Sequence, residues 1–233
     1  MRNSLAAALC WLAALTTAGH AGPRHNSSDE LSSCNERVFV GKRIEPKSMA
    51  GILQWSHEKP QGRWKDPELT TPLQTNAQVV LLHLWAHWCE PCKRDFPVYA
   101  ALSTSLPLQL AKTYGWGIRF SPVQFLYLAE DTPTGAMNTF LKDNQDLMRG
   151  GDNFQDTGGQ LKLELQRKLG CSVSLPLTLL LDKNQRVEAA FAGSITDRRE
   201  ELLDALVRMG KPNQSKPSAP ADVAQLPQAG NSL

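Results

Sequence analysis

The 233-residue sequence has no large excess of charge of either sign and no internal repeat. Its 25 basic and 23 acidic residues leave a net charge of +2. This balance argues against the basic surface that nucleic-acid binding requires and against an acidic interaction tail. The length suits one domain with extensions.

Cysteine is scarce, with five residues in the chain. No second Cys-x-x-Cys pair accompanies Cys89 and Cys92, so a zinc site made of four cysteines would lack half of its ligands. No flavin or nucleotide-binding motif is present either. The sequence therefore predicts neither a metal nor another cofactor.

The first 21 residues have the layout of a secretory signal. Arg2 precedes the uncharged stretch 5–18, and small residues follow at 18–21. The apolar stretch is shorter than the ~18–20 residues that cross a bilayer. We expect export to a periplasmic or other extracytoplasmic space, with cleavage after Ala21 or Ala18. An uncleaved segment that anchors the protein to the membrane is the alternative.

Export changes how the remaining cysteines are interpreted. Cys10 would be removed with the signal, which leaves an even number of thiols in an oxidising compartment and suggests pairing. If Cys89 pairs with Cys92, then Cys34 and Cys171 remain to form a long-range structural disulfide. Two unpaired cysteines are the alternative.

The segment Trp88–Cys92 (WCEPC) carries the most specific signal in the chain. It follows the apolar run 79–85 and precedes the helix-like stretch 93–106. A thiol at a helix N-terminus is stabilised as thiolate by the helix dipole and free N–H groups. The second thiol lies one turn further on, close enough to form a disulfide. The motif predicts thiol–disulfide exchange.

Hydrophobic patterns predict an α/β chain with one central sheet and helices on both faces. The predicted strands lie at 79–85, 120–128, 175–181 and 187–191, with a further short strand at 38–40. The predicted helices lie at 90–105, 134–148, 161–169 and 197–209, the last capped by Asp197. The domain boundaries are 1–21 for the signal, 22–74 for an N-terminal extension, 75–210 for the folded domain and 211–233 for a disordered tail.

At residues 84–97 (LWAHWCEPCKRDFP) and 175–178 (LPLT), with Gly193 further on, the chain resembles the thioredoxin superfamily. It is most similar to the exported TlpA/ResA-type thiol–disulfide oxidoreductases. The resemblance covers about 75–210. It implies a thioredoxin-like fold with a central mixed β-sheet, and a strand–helix insertion at 129–170 between the CxxC helix and a cis-proline strand.

The resemblance also implies the roles of individual residues. Cys89, Cys92, Pro176 and Asp95 would be catalytic, and Trp88, Pro91, Leu175 and Thr178 would bind the substrate. Pro176 would be a cis-proline that faces the disulfide and exposes backbone for a peptide to pair with; an ordinary trans-proline is the alternative. Asp95 would accept a proton from the resolving thiol, or it would be a solvated acid in the first helical turn.

Two further positions affect the chemistry. His83 lies where thioredoxin carries a buried Asp, so the chain departs from the family pattern there. It could relay protons, or it could be a core histidine with a backbone hydrogen-bond partner. Glu90 adds negative charge beside Cys89, which opposes thiolate formation and favours a reductant.

The expected function is that of a protein-disulfide reductase. Its expected partners are a protein disulfide substrate and a membrane electron-donor oxidoreductase, with no nucleic acid, and the expected state is a monomer. By family analogy, the substrates would be dithiols of cytochrome c maturation or copper-site assembly. The alternatives are a Dsb-like oxidase or isomerase, a thiol peroxidase, for which no Thr-x-x-Cys setting is present, and a non-catalytic binding module.

Overall fold

The computed structural model describes residues 31–44, 52–56, 63–65, 77–114, 123–132, 134–156 and 158–210. The predicted signal 1–21 and the predicted tail 211–233 lie outside the described residues. The strands are β1 Ile52–Ser56, β2 Arg63–Lys65, β3 Val79–Trp85, β4 Val123–Ala129, β5 Asp152–Asp156, β6 Leu177–Asp182 and β7 Val187–Ala192. The helices are α1 Glu90–Tyr114, α2 Gly135–Asp143, α3 Gln145–Met148, α4 Gln160–Leu169 and α5 Arg199–Met209.

The seven strands form one mixed sheet in the order β2-β1-β5-β4-β3-β6-β7. Strand β3 runs parallel to β4, and β4 runs parallel to β5. Strands β6 and β7 continue the sheet in antiparallel pairs, and so does β1 beside β5. The predicted central mixed sheet with helices on both faces is confirmed.

Both faces of the sheet are covered, which explains why all seven residues of β3 are buried. Successive side chains along β3 point to opposite faces of the sheet. Val79, Leu81 and Trp85 join the core beneath α1, α2, α3 and α5. Val80, Leu82 and Leu84 join the second core beneath α4 and the N-terminal segment 31–44.

Helix α1 begins as predicted and continues beyond 105 to Tyr114, with Pro97 and Pro107 inside it. Its buried residues recur every three or four positions, so one face of the helix packs on the sheet. They are Cys92, Asp95, Phe96, Tyr99, Leu102, Leu106 and Leu110. This continuous buried face outweighs the local cost of the two prolines.

The expected boundary at residue 75 is wrong, because β1 and β2 belong to the sheet and the disulfide of Cys34 ties residues 31–44 to the domain. The prolines of this region exclude long elements, but strands of five and three residues fit between them. The expected strand at 38–40 is also wrong. Residues Glu36–Val38 form a 3₁₀ turn capped by the Asn35 side chain, which accepts a hydrogen bond from the Arg37 N–H.

The expected insertion, 129–170, contains α2, α3, β5 and α4. Strand β5 was not predicted, because its sequence Asp-Asn-Phe-Gln-Asp lacks apolar alternation. The expected helix cap at Asp197 is wrong: Asp197 lies in the 3₁₀ turn Thr196–Arg198, and α5 begins at Arg199 without a side-chain cap.

Candidate functional site

A tight turn connects the central strand to the CxxC helix. Strand β3 ends at Trp85, and the Cys89 N–H donates a 3.0 Å hydrogen bond to the Ala86 carbonyl. Helix α1 starts at Glu90, so Cys89 lies at its N-terminus. Cys89 and Cys92 are joined by a disulfide with a Cα–Cα distance of 5.3 Å.

The two sulfurs differ in accessibility. Cys89 is 5% exposed, whereas Cys92 is completely buried. The Cys92 N–H donates to the Cys89 sulfur over 3.3 Å, and such a donor stabilises a thiolate after reduction. The arrangement allows the outer sulfur to meet a substrate while the inner one is shielded.

Pro176 lies at the same end of the sheet. The Leu175–Pro176 peptide bond is cis, and the next residue, Leu177, pairs with Leu84 near the end of β3. The Gly193 N–H donates a 2.9 Å hydrogen bond to the Pro176 carbonyl. Gly193 has φ +86°, a conformation that favours glycine.

Most of the expected substrate-binding residues are accessible. Trp88 is 63% exposed, and Pro91 and Leu175 are partly exposed. Thr178 is fully buried within β6, and its hydroxyl hydrogen-bonds Tyr99 over 2.7 Å. The Thr178 side chain therefore points into the core, and its role in substrate binding stays a prediction.

Asp95 is buried, which contradicts the alternative of a solvated acid. Its Oδ1 accepts hydrogen bonds from the Ser194 hydroxyl at 2.5 Å, the Ile195 N–H at 3.1 Å and the Thr196 hydroxyl at 3.2 Å. Its Oδ2 is buried without a hydrogen-bond partner among the described residues. Burial raises the pKa of the carboxyl, and the hydrogen bonds oppose part of that rise.

His83 is also fully buried, beneath α1. Its Nδ1 contacts the Tyr99 hydroxyl at 3.0 Å and the Thr178 hydroxyl at 3.2 Å. The expected backbone partner is therefore replaced by two side chains. Burial lowers the pKa of His83 to about 3, so the imidazole is neutral at physiological pH. Tyr99 was missed in the sequence, although it lies on the same helical face as Cys92 and Phe96.

The negative charge of Glu90 is offset locally. Lys93 Nζ lies 2.6 Å from Glu90 Oε1 and also sits 5.6 Å from the centre of the Phe140 ring. This ion pair weakens the electrostatic argument that Glu90 opposes a Cys89 thiolate.

A second contact at the turn was not predicted. Both the backbone N–H and Nδ1 of His87 hydrogen-bond Oδ2 of Asp131, the backbone bond at 2.7 Å. Asp131 follows β4, and the ends of parallel strands meet at one edge of a sheet. The position of Asp131 after a predicted strand was the signal that could have indicated it.

Away from the site, Cys34 and Cys171 form a disulfide with a Cα–Cα distance of 5.1 Å, the pair expected from the sequence. Among the described residues, no group of three or more His, Cys, Asp or Glu side chains could hold a metal ion. Within the same residues, no helix combines the length and apolarity needed to cross a membrane.

Solved structures with a similar arrangement include StoA from Bacillus subtilis, with 17% identity over 68% of this chain and 98% of that one, at a TM-score of 0.43. A thiol:disulfide interchange protein from Bacteroides sp. has 11% identity over 76% and 93%, at a TM-score of 0.45. A secreted thiol-disulfide isomerase from Corynebacterium glutamicum has 20% identity over 57% and 71%, at a TM-score of 0.38. No family model and no curated protein matches the chain.

Proposed function

We propose that this thioredoxin-fold protein is a thiol–disulfide oxidoreductase that reduces disulfides of exported proteins. The observation that carries the proposal is the asymmetry of the CxxC pair at the start of α1. Cys89 is the reachable sulfur and receives a hydrogen bond from the Cys92 N–H, whereas Cys92 is enclosed. Nucleophilic attack and internal resolution need this division of roles.

The reaction begins with the reduced dithiol. The Cys89 thiolate attacks one sulfur of a substrate disulfide, a new S–S bond forms, and the other substrate sulfur leaves as a thiolate. Cys92 then loses its proton and attacks the Cys89 sulfur, which releases the second substrate thiolate. Two electrons pass from the protein to the substrate, and the Cys89–Cys92 disulfide remains.

Asp95 is the candidate acceptor for the Cys92 proton. The two residues lie three positions apart on the buried face of α1, so their side chains share that face. The raised pKa of Asp95 makes its carboxylate a stronger base than an exposed one. Its unpartnered Oδ2 supports this role.

Substrate docking uses the surface between Trp88 and the loop before β6. The exposed Trp88 ring offers a large contact area beside Cys89. A substrate peptide in an extended conformation would pair with the backbone at Leu175, and its disulfide would then lie opposite Cys89. Pro91 would border the same surface.

We place this activity outside the cytoplasm. The Cys34–Cys171 disulfide supports an oxidising compartment, as does the signal-like segment 1–21. Because glutathione does not maintain thiols there, the protein would draw electrons from a membrane oxidoreductase after each cycle. Proteins of cytochrome c maturation or copper-site assembly would be its substrates.

One observation favours a second candidate, a Dsb-like oxidase or isomerase. The Lys93 ion pair offsets Glu90, and the helix N-terminus together with the Cys92 N–H stabilises a Cys89 thiolate. A more stable thiolate makes the disulfide form a stronger oxidant.

The reduction potential of Cys89–Cys92 distinguishes the two candidates. It is measured by thiol alkylation across a redox-buffer series in a C34A/C171A variant. A value near about −250 mV supports the reductase, and a value near about −120 mV supports the oxidant. Separately, Cys92→Ala should trap mixed disulfides with substrate proteins, whereas Cys89→Ala should trap none. Absence of any trapped species would leave the binding module as the better explanation.

A further inference from the structure

The Ala86–Cys89 turn carries both Trp88 and Cys89, so its conformation determines where the reactive sulfur and the docking ring lie. The hydrogen bond from Cys89 N–H to the Ala86 carbonyl closes the turn internally. His87 is the first of its two central residues, and its backbone N–H is directed outside the turn, to Asp131.

Asp131 binds the turn through a single oxygen that accepts two hydrogen bonds. Oδ2 receives the His87 backbone N–H and the His87 Nδ1. Because a carboxylate only accepts, Nδ1 must carry the hydrogen. The Asp131 side chain is 7% exposed, so competition from water is small and charge-assisted hydrogen bonds are strong.

Asp131 is itself fixed by a contact with another strand. The Gln155 side chain on β5 donates a 2.5 Å hydrogen bond to the Asp131 carbonyl. The Glu130 N–H donates a 2.8 Å hydrogen bond to the Trp85 carbonyl, which holds the chain beside the end of β3. The insertion strand is thereby connected to the turn through Asp131.

We propose that Asp131 is a positioning residue that locks the Ala86–Cys89 turn through the backbone N–H of His87. The lock keeps Trp88 exposed and fixes the direction from which the Cys89 sulfur meets a substrate disulfide. This inference rests on the proposed thiol–disulfide exchange. It assigns a positioning role to Asp131, which lies outside the CxxC motif and the Pro176 loop.

The test compares variants that separate the hydrogen bonds from the charge. Asp131→Ala removes both, whereas Asp131→Asn removes the charge and keeps an acceptor for the His87 N–H. His87→Ala keeps the backbone donor and removes the imidazole. Asp146→Ala is the matched control, since its side chain is 91% exposed on α3. For each full-length protein, kcat and KM are measured for insulin reduction, and hydrogen exchange is measured at the His87 amide.

Asp131→Ala should lower kcat/KM for insulin by about tenfold, because a misplaced reacting group loses the benefit of orientation. The His87 amide should lose protection in the same variant. Asp131→Asn and His87→Ala should each stay within about threefold of the unmodified protein, since each keeps the backbone hydrogen bond. Asp146→Ala should match the unmodified protein in both measurements.

Two results would overturn the proposal. If Asp131→Ala and Asp131→Asn lowered kcat/KM equally, the negative charge of Asp131 would be responsible for the effect, and not its hydrogen bond to the His87 N–H. Unchanged protection of the His87 amide in Asp131→Ala would show that no lock exists. If the unmodified protein fails to reduce insulin, the proposed function and the catalytic purpose of the lock both fail. In that case, hydrogen exchange at the His87 amide still differs or agrees between the unmodified protein and Asp131→Ala, and this comparison confirms or rejects the lock itself.

Discussion

The hydroxyl of Ser194 donates a 2.5 Å hydrogen bond to Oδ1 of Asp95, which joins the CxxC helix to the loop that follows β7. The same loop begins at Gly193, whose N–H holds the Pro176 carbonyl. The two sides of the proposed site, the CxxC helix and the cis-proline loop, are therefore connected through a buried carboxylate.

Asp95→Ala should destabilise the protein as well as slow resolution. The substitution leaves the Ser194 and Thr196 hydroxyls and the Ile195 N–H without their acceptor. The Ile195 N–H is the buried donor among them, and a buried donor left unpaired costs about 1–3 kcal/mol. Urea unfolding at pH 7 measures the change, and Asp204→Ala, at an exposed position on α5, is the control. An unchanged free energy of unfolding would contradict the buried network.

Glu130 should make stability depend on pH. Burial and the nearby charge of Asp156 raise its pKa from the ordinary 4.5 to about 8. The folded protein therefore keeps a proton that the unfolded chain releases at lower pH. The stabilising contribution of the protonated Glu130 carboxyl is complete below pH 4.5. It is lost as the pH rises through about 8.

Glu130→Gln cannot ionise, so its free energy of unfolding should fall less between pH 5 and 9 than that of the unmodified protein, a range of about four units around the shifted pKa. Urea titrations across this range give the comparison. Glu188→Gln, which alters an exposed residue of β7, should follow the unmodified protein. Parallel curves for the unmodified protein and Glu130→Gln would disprove the predicted linkage.

Removal of the Cys34–Cys171 disulfide should weaken the fold without altering the active pair. A cross-link between residues so distant in sequence contributes about 2–5 kcal/mol, and a C34A/C171A variant should lose that amount in urea unfolding. The reduction potential of Cys89–Cys92 should be the same in both proteins, since the two disulfides belong to different parts of the fold. A shifted potential would show that the two disulfides are coupled.

Two glycines should respond in opposite ways to alanine. A Cβ at Gly151 would lie 2.7 Å from the Phe125 carbonyl oxygen and 2.9 Å from the Tyr127 ring, and crowding of this kind costs about 1–3 kcal/mol. At Gly135, the first residue of α2, a Cβ would meet nothing within 4 Å. There alanine should raise stability by about 0.5–1 kcal/mol. Thermal unfolding of the two variants compares them, and equal midpoints would contradict the expected difference.

The parts of the fold that the sequence predicted are those with a strong local pattern. The apolar run of β3, the start of α1 and the hairpin of β6 and β7 each follow from neighbouring residues alone. Helix α1 was predicted too short, because Pro107 interrupts the local helical pattern before the buried position Leu110.

The parts that escaped prediction depend on distant partners. In β5, Asn153, Gln155 and Asp156 are polar and yet buried, because backbone groups outside the strand accept or donate their hydrogen bonds. Likewise, the contact between His87 and Asp131 joins residues 44 positions apart. A single sequence shows each residue but not the pairing.

The Cys34–Cys171 disulfide joins residues 137 positions apart, and the span between them includes the whole CxxC helix and the expected insertion. A protease that cut one peptide bond inside that span would not divide the protein, because both fragments would stay joined through the two sulfurs. Separation would require a reductant as well as the cut. Under non-reducing conditions the nicked chain would therefore keep the mass of one intact molecule.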